Sequence, residues 1–272
     1  MRVIGVGHLV FAFAMIGLGV LTLVYGDFAL QWQPVPEWVP WREGVAYASG
    51  AILLVGGVSL LLARTASASA LVLTIYLLVT WVLPQIIQVA PSPGSIGAWL
   101  GFCETLAVTS GGWILCALLL REDHSATKPT DGDPGIRVAR LLFGACCVVF
   151  GLSHFVYADF TASMIPQWLP GRLVFAYLTG AGHLAAGIGI LFAIVPRLAA
   201  MLEALMMSSF VFLVHIPSIG SVPPLQWAPT NRVAWTALLW ASALAASAWT
   251  VASSLHDHRW GLVWTGARRP TA

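Results

Sequence analysis

The sequence predicts an all-α polytopic membrane protein with eight transmembrane helices. Of its 272 residues, 58% are hydrophobic and only 9% are charged, whereas soluble domains carry about 25% charged residues. The chain also contains eight apolar segments of about 19–25 residues, each long enough to cross a hydrocarbon core of ~30 Å. Because backbone groups in lipid must find hydrogen bonds within the chain, these segments are predicted to be helices.

The eight apolar segments follow one another along the chain. They span residues 3–25, 44–63, 69–90, 96–120, 138–157, 173–195, 198–216 and 232–253. The first is too long for the apolar region of a signal peptide, and no small-residue cleavage site follows it. We therefore interpret it as a retained span. Pro84 predicts one interrupted helix, in the third segment.

Charge and cysteine usage exclude several classes of function. The net charge of +2 is too small to indicate a nucleic-acid partner. The four cysteines lie inside apolar segments and form no Cys-x-x-Cys motif, which favours buried packing thiols over a disulfide framework or a redox motif. They are Cys103, Cys116, Cys146 and Cys147.

Basic residues concentrate on one side of the predicted membrane. Ten lie in connections or helix ends on that side: Arg2, Arg64, Arg121, Lys128, Arg137, Arg140, Arg197, Arg259, Arg268 and Arg269. Three lie on the other: Arg42, Arg172 and Arg232. This bias predicts that both termini are cytoplasmic in a bacterial-type inner (plasma) membrane. The outer loops hold Trp32, Trp38, Trp41, Trp168 and Trp227, which is typical of an interfacial aromatic belt.

The chain divides into two halves that align as a tandem repeat. A polar stretch, residues 121–137, separates residues 1–120 from 138–253, and a cytoplasmic tail, 254–272, follows. The aligned pairs include Tyr25/Tyr157, Asp27/Asp159, Phe28/Phe160, Arg42/Arg172, Tyr47/Tyr177, Gly50/Gly180, Pro84/Pro217, Trp99/Trp235 and Trp113/Trp249. Four spans is an even number, so both copies face the same way. The sequence therefore predicts two parallel four-helix bundles related by an axis along the membrane normal.

The second half resembles the DoxX-like family. The resemblance rests on a histidine-containing first helix, the Pro-Gln-Trp-Leu-Pro loop at 166–170 and a glycine-rich second helix. It covers about residues 136–253 well and the first half weakly. Related members include a subunit of thiosulfate:quinone oxidoreductase and a methylamine-utilisation protein. In many members the second helix carries a mid-membrane glutamate, where this chain has His183.

The histidines of the second half are the main candidates for a cofactor site, because polar residues at membrane depth are functional hypotheses. His154, His183 and His215 come from three different helices, and Tyr157 follows His154 by one turn. His183 has small neighbours at Gly180 and Ala186, which predicts that it faces the bundle interior. The first half has Thr22, Leu53 and Val82 at the places of the three histidines, so the site is predicted in the second half alone.

The sequence leaves three possible ligands for the three histidines and Tyr157. For each histidine, the alternative is a role in helix packing without any ligand. A quinone head group could bind His154, Tyr157 and His215. A haem could use His154 and His215, with Arg172 and Arg232 at its propionates. A metal ion would need all three histidines, although the His183 α-carbon is expected ~10 Å deeper than the other two.

Two intramembrane carboxylates, Glu104 and Glu203, are candidates for a proton relay. Alternatively, Glu203 reaches back to Arg197 or to lipid headgroups. Neighbours that could solvate Glu104 are Cys103, Thr105 and Thr109. The tail sequence His256-Asp257-His258 resembles a chelator but is predicted to be a solvated helix end.

These observations leave three functions open, and they leave open whether the chain is an enzyme. The resemblance implies a membrane subunit or quinone-facing partner in redox metabolism, with a redox protein subunit or quinone as partner besides the lipid bilayer. The parallel repeats and the two glutamates favour a transporter or binding module for a small apolar or weakly acidic molecule. The tryptophan-rich loops suit a structural or assembly subunit of a membrane complex.

Overall fold

The computed structural model describes residues 5–123 and 132–256. Within them, eight helices are long and apolar enough to cross a membrane. They are α1 (Val6–Tyr25), α2 (Arg42–Leu60), α3 (Ala66–Val89), α4 (Ile96–Asp123), α5 (Pro134–Val156), α6 (Arg172–Leu191), α7 (Pro196–Ser218) and α8 (Asn231–Ser254). No β-strand occurs in these ranges, and the prediction of an all-α chain with eight helices long and apolar enough to cross a membrane is confirmed there.

Helices α4 and α5 extend into the polar stretch predicted as a linker. Helix α5 begins at Pro134, whose fixed backbone and missing N–H suit a first helical turn. The Asp133 carboxylate caps it by accepting hydrogen bonds from the backbone N–H groups of Gly135 (2.8 Å) and Ile136 (3.3 Å). Residues 1–4, 124–131 and 257–272, which include part of the predicted linker, His258 and several of the basic residues, lie outside the described ranges.

Helices α3 and α7 each contain a π-helical turn shortly before a proline. The turns cover Leu78–Val82 and Val211–His215, and Pro84 and Pro217 follow them. Proline lacks an N–H, and its ring crowds the carbonyl four residues earlier, so a wider turn relieves the conflict without ending the helix. The interruption at Pro84 was predicted, and the structure adds a second one before Pro217.

Helices α4 and α8 form the centre of the bundle. They pack against each other, and α1 packs on α2 and α8 while α5 packs on α4 and α6. In each central helix 67% of the most apolar stretch is buried, against 22–50% in the other six. One apolar core lies among α1–α3 and the other among α5–α7, and both take residues from α4 and α8. The outer six helices therefore present most of the apolar surface that suits lipid.

Glycines let two pairs of helices approach to backbone contact. A Cβ atom on Gly19 of α1 would lie 2.7 Å from the carbonyl oxygen of Gly50 in α2. A Cβ atom on Gly151 of α5 would lie 2.7 Å from the carbonyl oxygen of Gly180 in α6. Larger residues would force these helices apart, so the glycines fix the α1–α2 and α5–α6 contacts.

The connections 26–41, 90–95, 157–171 and 219–230 share one end of the bundle, which we call the tryptophan-rich end. Trp38, Trp41 and Trp168 are 80%, 90% and 71% exposed there, as an aromatic belt requires. Trp32 does not fit that prediction, because the turn Leu30–Trp32 folds inward and buries its indole. All four cysteines are free and buried, as predicted.

Candidate functional site

A buried histidine–glutamate pair joins α6 to α7. His183 Nδ1 lies 2.7 Å from Glu203 Oε1, and the two side chains are 3% and 0% exposed. His183 is eight residues before the end of α6 and Glu203 is seven residues after the start of α7. The short connection between these helices therefore places both residues at the same depth. The predicted orientation of His183 toward the bundle interior is confirmed.

Helix packing brings His154 against this pair. A Cβ atom on Gly180 would lie 2.8 Å from the Cβ of His154, so the absence of a side chain at Gly180 lets α5 and its histidine come close to α6. The His154 and His183 rings are 5.0 Å apart at 77°, an edge-to-face contact. His154 Nδ1 lies 2.9 Å from Thr179 Oγ1. The expected ~10 Å difference in depth does not keep these two side chains apart.

Phenylalanine rings surround the two histidines. Phe210 of α7 contacts both imidazoles, with centroids 6.2 Å from His154 and 5.8 Å from His183. Phe150 of α5 meets His183 edge-to-face at 5.8 Å. An apolar enclosure of this kind strengthens the hydrogen bond between the paired groups, because little solvent competes for it.

Glu203 has capacity for a further hydrogen bond. Its Oε1 atom accepts from His183 and also lies 3.7 Å from Cys147 Sγ. Its Oε2 atom is buried and has no hydrogen-bond partner among the described residues. The alternative in which Glu203 reaches Arg197 or the headgroups is wrong, because its side chain is turned inward to His183.

The other two predicted cofactor residues lie apart from the His183–Glu203 pair. The Tyr157 hydroxyl accepts a hydrogen bond of 3.1 Å from the backbone N–H of Gly97, at the tryptophan-rich end. The His215 ring meets Trp227 edge-to-face at 5.5 Å, and its buried Nδ1 has no partner in the described chain. The structure thus joins His154 and His183 but separates them from Tyr157 and His215.

Glu104 belongs to a second, different cluster. Its Oε2 atom accepts a hydrogen bond of 2.6 Å from the indole N–H of Trp32. The ring centroid of Trp240 in α8 lies 6.3 Å from that of Trp32. The Trp240 ring also stacks on Trp81, with 4.8 Å between the centroids. The neighbouring Thr105 and Thr109 donate to backbone carbonyls instead of to Glu104.

The predicted solvation of Glu104 by these threonines is therefore wrong. Its partner comes from a loop that the sequence places at the membrane surface, and no periodicity signals that the loop folds inward. The pairing of His183 with Glu203 had a usable signal, namely their matching distances from the α6–α7 connection.

Asp27 holds an ion cluster at the tryptophan-rich end. Its carboxylate accepts hydrogen bonds from Arg42 of α2 and, at 3.1 Å, from Arg232 of α8. Burial would raise the pKa of Asp27, but the hydrogen bonds from Arg42, the Phe28 N–H and Arg232 outweigh it and lower the pKa. The cluster therefore ties the first connection to the central helix α8.

The described residues contain no group of three or more His, Cys, Asp or Glu side chains placed to hold a metal ion. His183 Nδ1 and Glu203 Oε1 face each other at 2.7 Å, so one of these two atoms carries a hydrogen and the other accepts it. The chemistry that the arrangement supports is therefore proton binding and transfer inside the bundle.

Comparison with known proteins finds a family-model match in the second half of the chain. Residues 143–252 match the family model of a domain of unknown function (DUF8561). This range covers less than half of the chain and contains His154, His183, Glu203 and His215. No curated protein and no solved structure matches the sequence.

Proposed function

We propose that the chain is a DoxX-like protein of a bacterial-type inner membrane that serves redox metabolism as a quinone-facing subunit or partner of an oxidoreductase. The observation that carries this proposal is the buried hydrogen bond between His183 and Glu203, with His154 beside it. The family resemblance of the second half supplies the redox context.

The pair supplies what quinone chemistry needs from an apolar protein. Reducing a quinone to a quinol takes up two electrons and two protons, so protons must reach a site surrounded by lipid. The imidazole and carboxyl groups, 2.7 Å apart, can exchange a proton directly. The His154 ring lies edge-to-face against His183, with 5.0 Å between the ring centroids, and Glu203 Oε2 can receive a proton from a further donor.

The test combines quinone analysis with a variant that keeps the fold. A solvent extract of the purified protein is analysed by mass spectrometry for quinone, and binding of a short-chain quinone is followed by tryptophan fluorescence. The double variant His183→Leu, Glu203→Ala copies the apolar residues Leu53 and Ala70 at the aligned places in the first half. We expect quinone in the wild-type extract and at least tenfold weaker binding by the double variant.

The control is Tyr76→Phe, which removes a partly buried hydroxyl that bonds Ser49 and Gln33 in the first half. It should leave quinone binding unchanged. A wild-type protein that retains no quinone and binds none, or a double variant with undiminished affinity, contradicts the proposal.

The paired π turns favour a second candidate, a proton-coupled transporter of a small weakly acidic molecule. Interrupted helices at corresponding positions of two halves are typical of transporter binding sites, and α3 and α7 are interrupted at matching places. Uptake of weak acids into proteoliposomes should then depend on a proton gradient and fall in Glu203→Gln. Uptake that ignores the gradient, or that Glu203→Gln leaves intact, removes this candidate.

We further propose that the helices form two parallel four-helix repeats with both termini in the cytoplasm. Matching features support the repeat: α2 and α6 both start after a residue in the left-handed conformation, Trp41 (φ 54°) and Gly171 (φ 68°). Cysteines introduced at Ser92 and at Thr65 test the orientation. An impermeant thiol reagent added to intact cells should label Ser92→Cys and not Thr65→Cys.

A further inference from the structure

A groove opens at the tryptophan-rich end beside α6. It has a volume of about 430 Å³, within the range of ~300–1,000 Å³ that ligand sites occupy. It lies between the short helix Ala158–Met164 and the first residues of α6, and its lining residues are Asp159, Ala162, Ser163, Gly171, Arg172 and Leu173.

The aligned place in the first half is closed. There Asp27, aligned with Asp159, is bonded by Arg42 and by Arg232 of α8, and the cavity beside it measures only about 10 Å³. Phe28 is 3% exposed, and its ring centroid lies 5.1 Å from the Cζ atom of the Arg42 guanidinium that covers it. The aspartate and arginine are thus bonded to each other beside a small cavity in the first half, whereas the aligned aspartate and arginine line an open groove in the second half.

Arg172 has no ion-pair or hydrogen-bonding partner among the residues of the described ranges, and it is exposed. Asp159 likewise has none, because α4 starts with Ile96 where α8 supplies Arg232 in the first half. One free cation and one free anion therefore line a single groove. The guanidinium presents a planar set of N–H donors that matches phosphate oxygens.

Apolar side chains beside the groove are exposed. Phe160 is 57% exposed, whereas its counterpart Phe28 is buried, and Leu173 and Trp168 are 41% and 71% exposed. Arg172 is the first residue of a membrane-spanning helix, so the charged groups lie at headgroup level, and Leu173 of the lining follows them into the helix. The groove thus has a charged part at headgroup level and an apolar part next to it.

We propose that this groove binds the headgroup of one zwitterionic phospholipid with a primary ammonium, of the phosphatidylethanolamine type. Arg172 binds the phosphate and Asp159 binds the ammonium. A headgroup without an ammonium, such as that of phosphatidylglycerol, is disfavoured because it leaves the Asp159 carboxylate without a cationic partner. This site is independent of the proposed redox function.

Native mass spectrometry of the delipidated full chain tests the proposal. The protein is titrated separately with phosphatidylethanolamine, phosphatidylglycerol, phosphatidylcholine and inorganic phosphate. We expect one tightly bound phosphatidylethanolamine and at least tenfold weaker binding by Arg172→Gln. In Asp159→Asn the preference for phosphatidylethanolamine over phosphatidylglycerol should disappear, because only the ammonium partner is lost.

Arg64→Gln, at the opposite end of the bundle, is the matched control for loss of a positive charge, and it should bind lipid as the wild type does. Equal retention by wild type and Arg172→Gln overturns the proposal. So does displacement of the lipid by inorganic phosphate, which would make the groove a site for free phosphate. A preference that persists in Asp159→Asn overturns the assigned role of that carboxylate.

Discussion

The interiors of the two halves differ at the place where the second half carries its titratable groups. His154, His183 and Glu203 align with Thr22, Leu53 and Ala70, which are 2%, 0% and 2% exposed in the first half. Both places therefore lie among the three corresponding helices of each half, α1, α2 and α3 in the first and α5, α6 and α7 in the second. The first half shows that this position can be filled by apolar packing.

The apolar residues Leu53 and Ala70 at the aligned places predict that the fold does not need the histidine–glutamate pair. Burying a hydrogen-bonded polar pair contributes little net stability compared with apolar residues of similar volume. Buried polar groups that contribute little stability and are not needed for packing are expected at a functional site, where they are kept for chemistry. The first half in turn carries its own carboxylate at Glu104, bonded to Trp32 and not to a histidine.

The largest effect is expected from separating the pair. His183→Leu leaves the Glu203 carboxyl without its hydrogen-bonding partner and should lower the free energy of unfolding by about 3 kcal/mol. Glu203→Ala leaves a neutral imidazole unpaired and should cost about 1–3 kcal/mol. The double variant copies the first half and should return to within about 1 kcal/mol of the wild type. Unfolding in detergent, followed by circular dichroism, measures all three.

This outcome decides between the two interpretations of the pair. If the double variant is as unstable as His183→Leu alone, the histidine and glutamate are needed for folding, and the comparison with the first half fails. If all three variants are as stable as the wild type, the pair is not held together in the folded protein.

A smaller loss of stability, equal in the two halves, is expected at the glycine contacts that both halves share. Gly19→Ala and Gly151→Ala would each place a Cβ atom 2.7 Å from a carbonyl oxygen of the facing helix. Each should cost about 1–3 kcal/mol through displaced backbone. Gly44→Ala in α2, where a Cβ atom meets nothing within 4 Å, is the control and should not destabilise the protein. Unequal losses from Gly19→Ala and Gly151→Ala in thermal unfolding would show that the two helix contacts are not equivalent.

The sequence predicts the helices well because each one needs only a long apolar run, and lipid imposes the helical hydrogen bonding. It predicts that His183 faces inward, since small residues share its face. The matching distances from the α6–α7 connection place Glu203 at the depth of His183, but they do not predict that the two side chains meet, because this depends on the rotation of α7 about its axis. The inward fold of Trp32 is also missed, since a tryptophan in a proline-rich loop looks like an interfacial residue.

The smallest effect concerns the ion cluster around Asp27, which has no counterpart around Asp159 in the described part of the chain. The pKa of Asp27 in the folded chain lies below its ordinary value of 3.8. As the pH falls, the unfolded chain therefore binds a proton at Asp27 before the folded chain does. The stability from this group is therefore complete above that value and is lost as pH falls through the lower pKa of the folded state. Asp27→Asn should flatten the fall of the thermal midpoint between about pH 5 and pH 3. Asp159→Asn should leave that fall unchanged, because no cation of residues 5–123 and 132–256 pairs with Asp159. An equal flattening by both variants would show that the two aspartates are alike in solution.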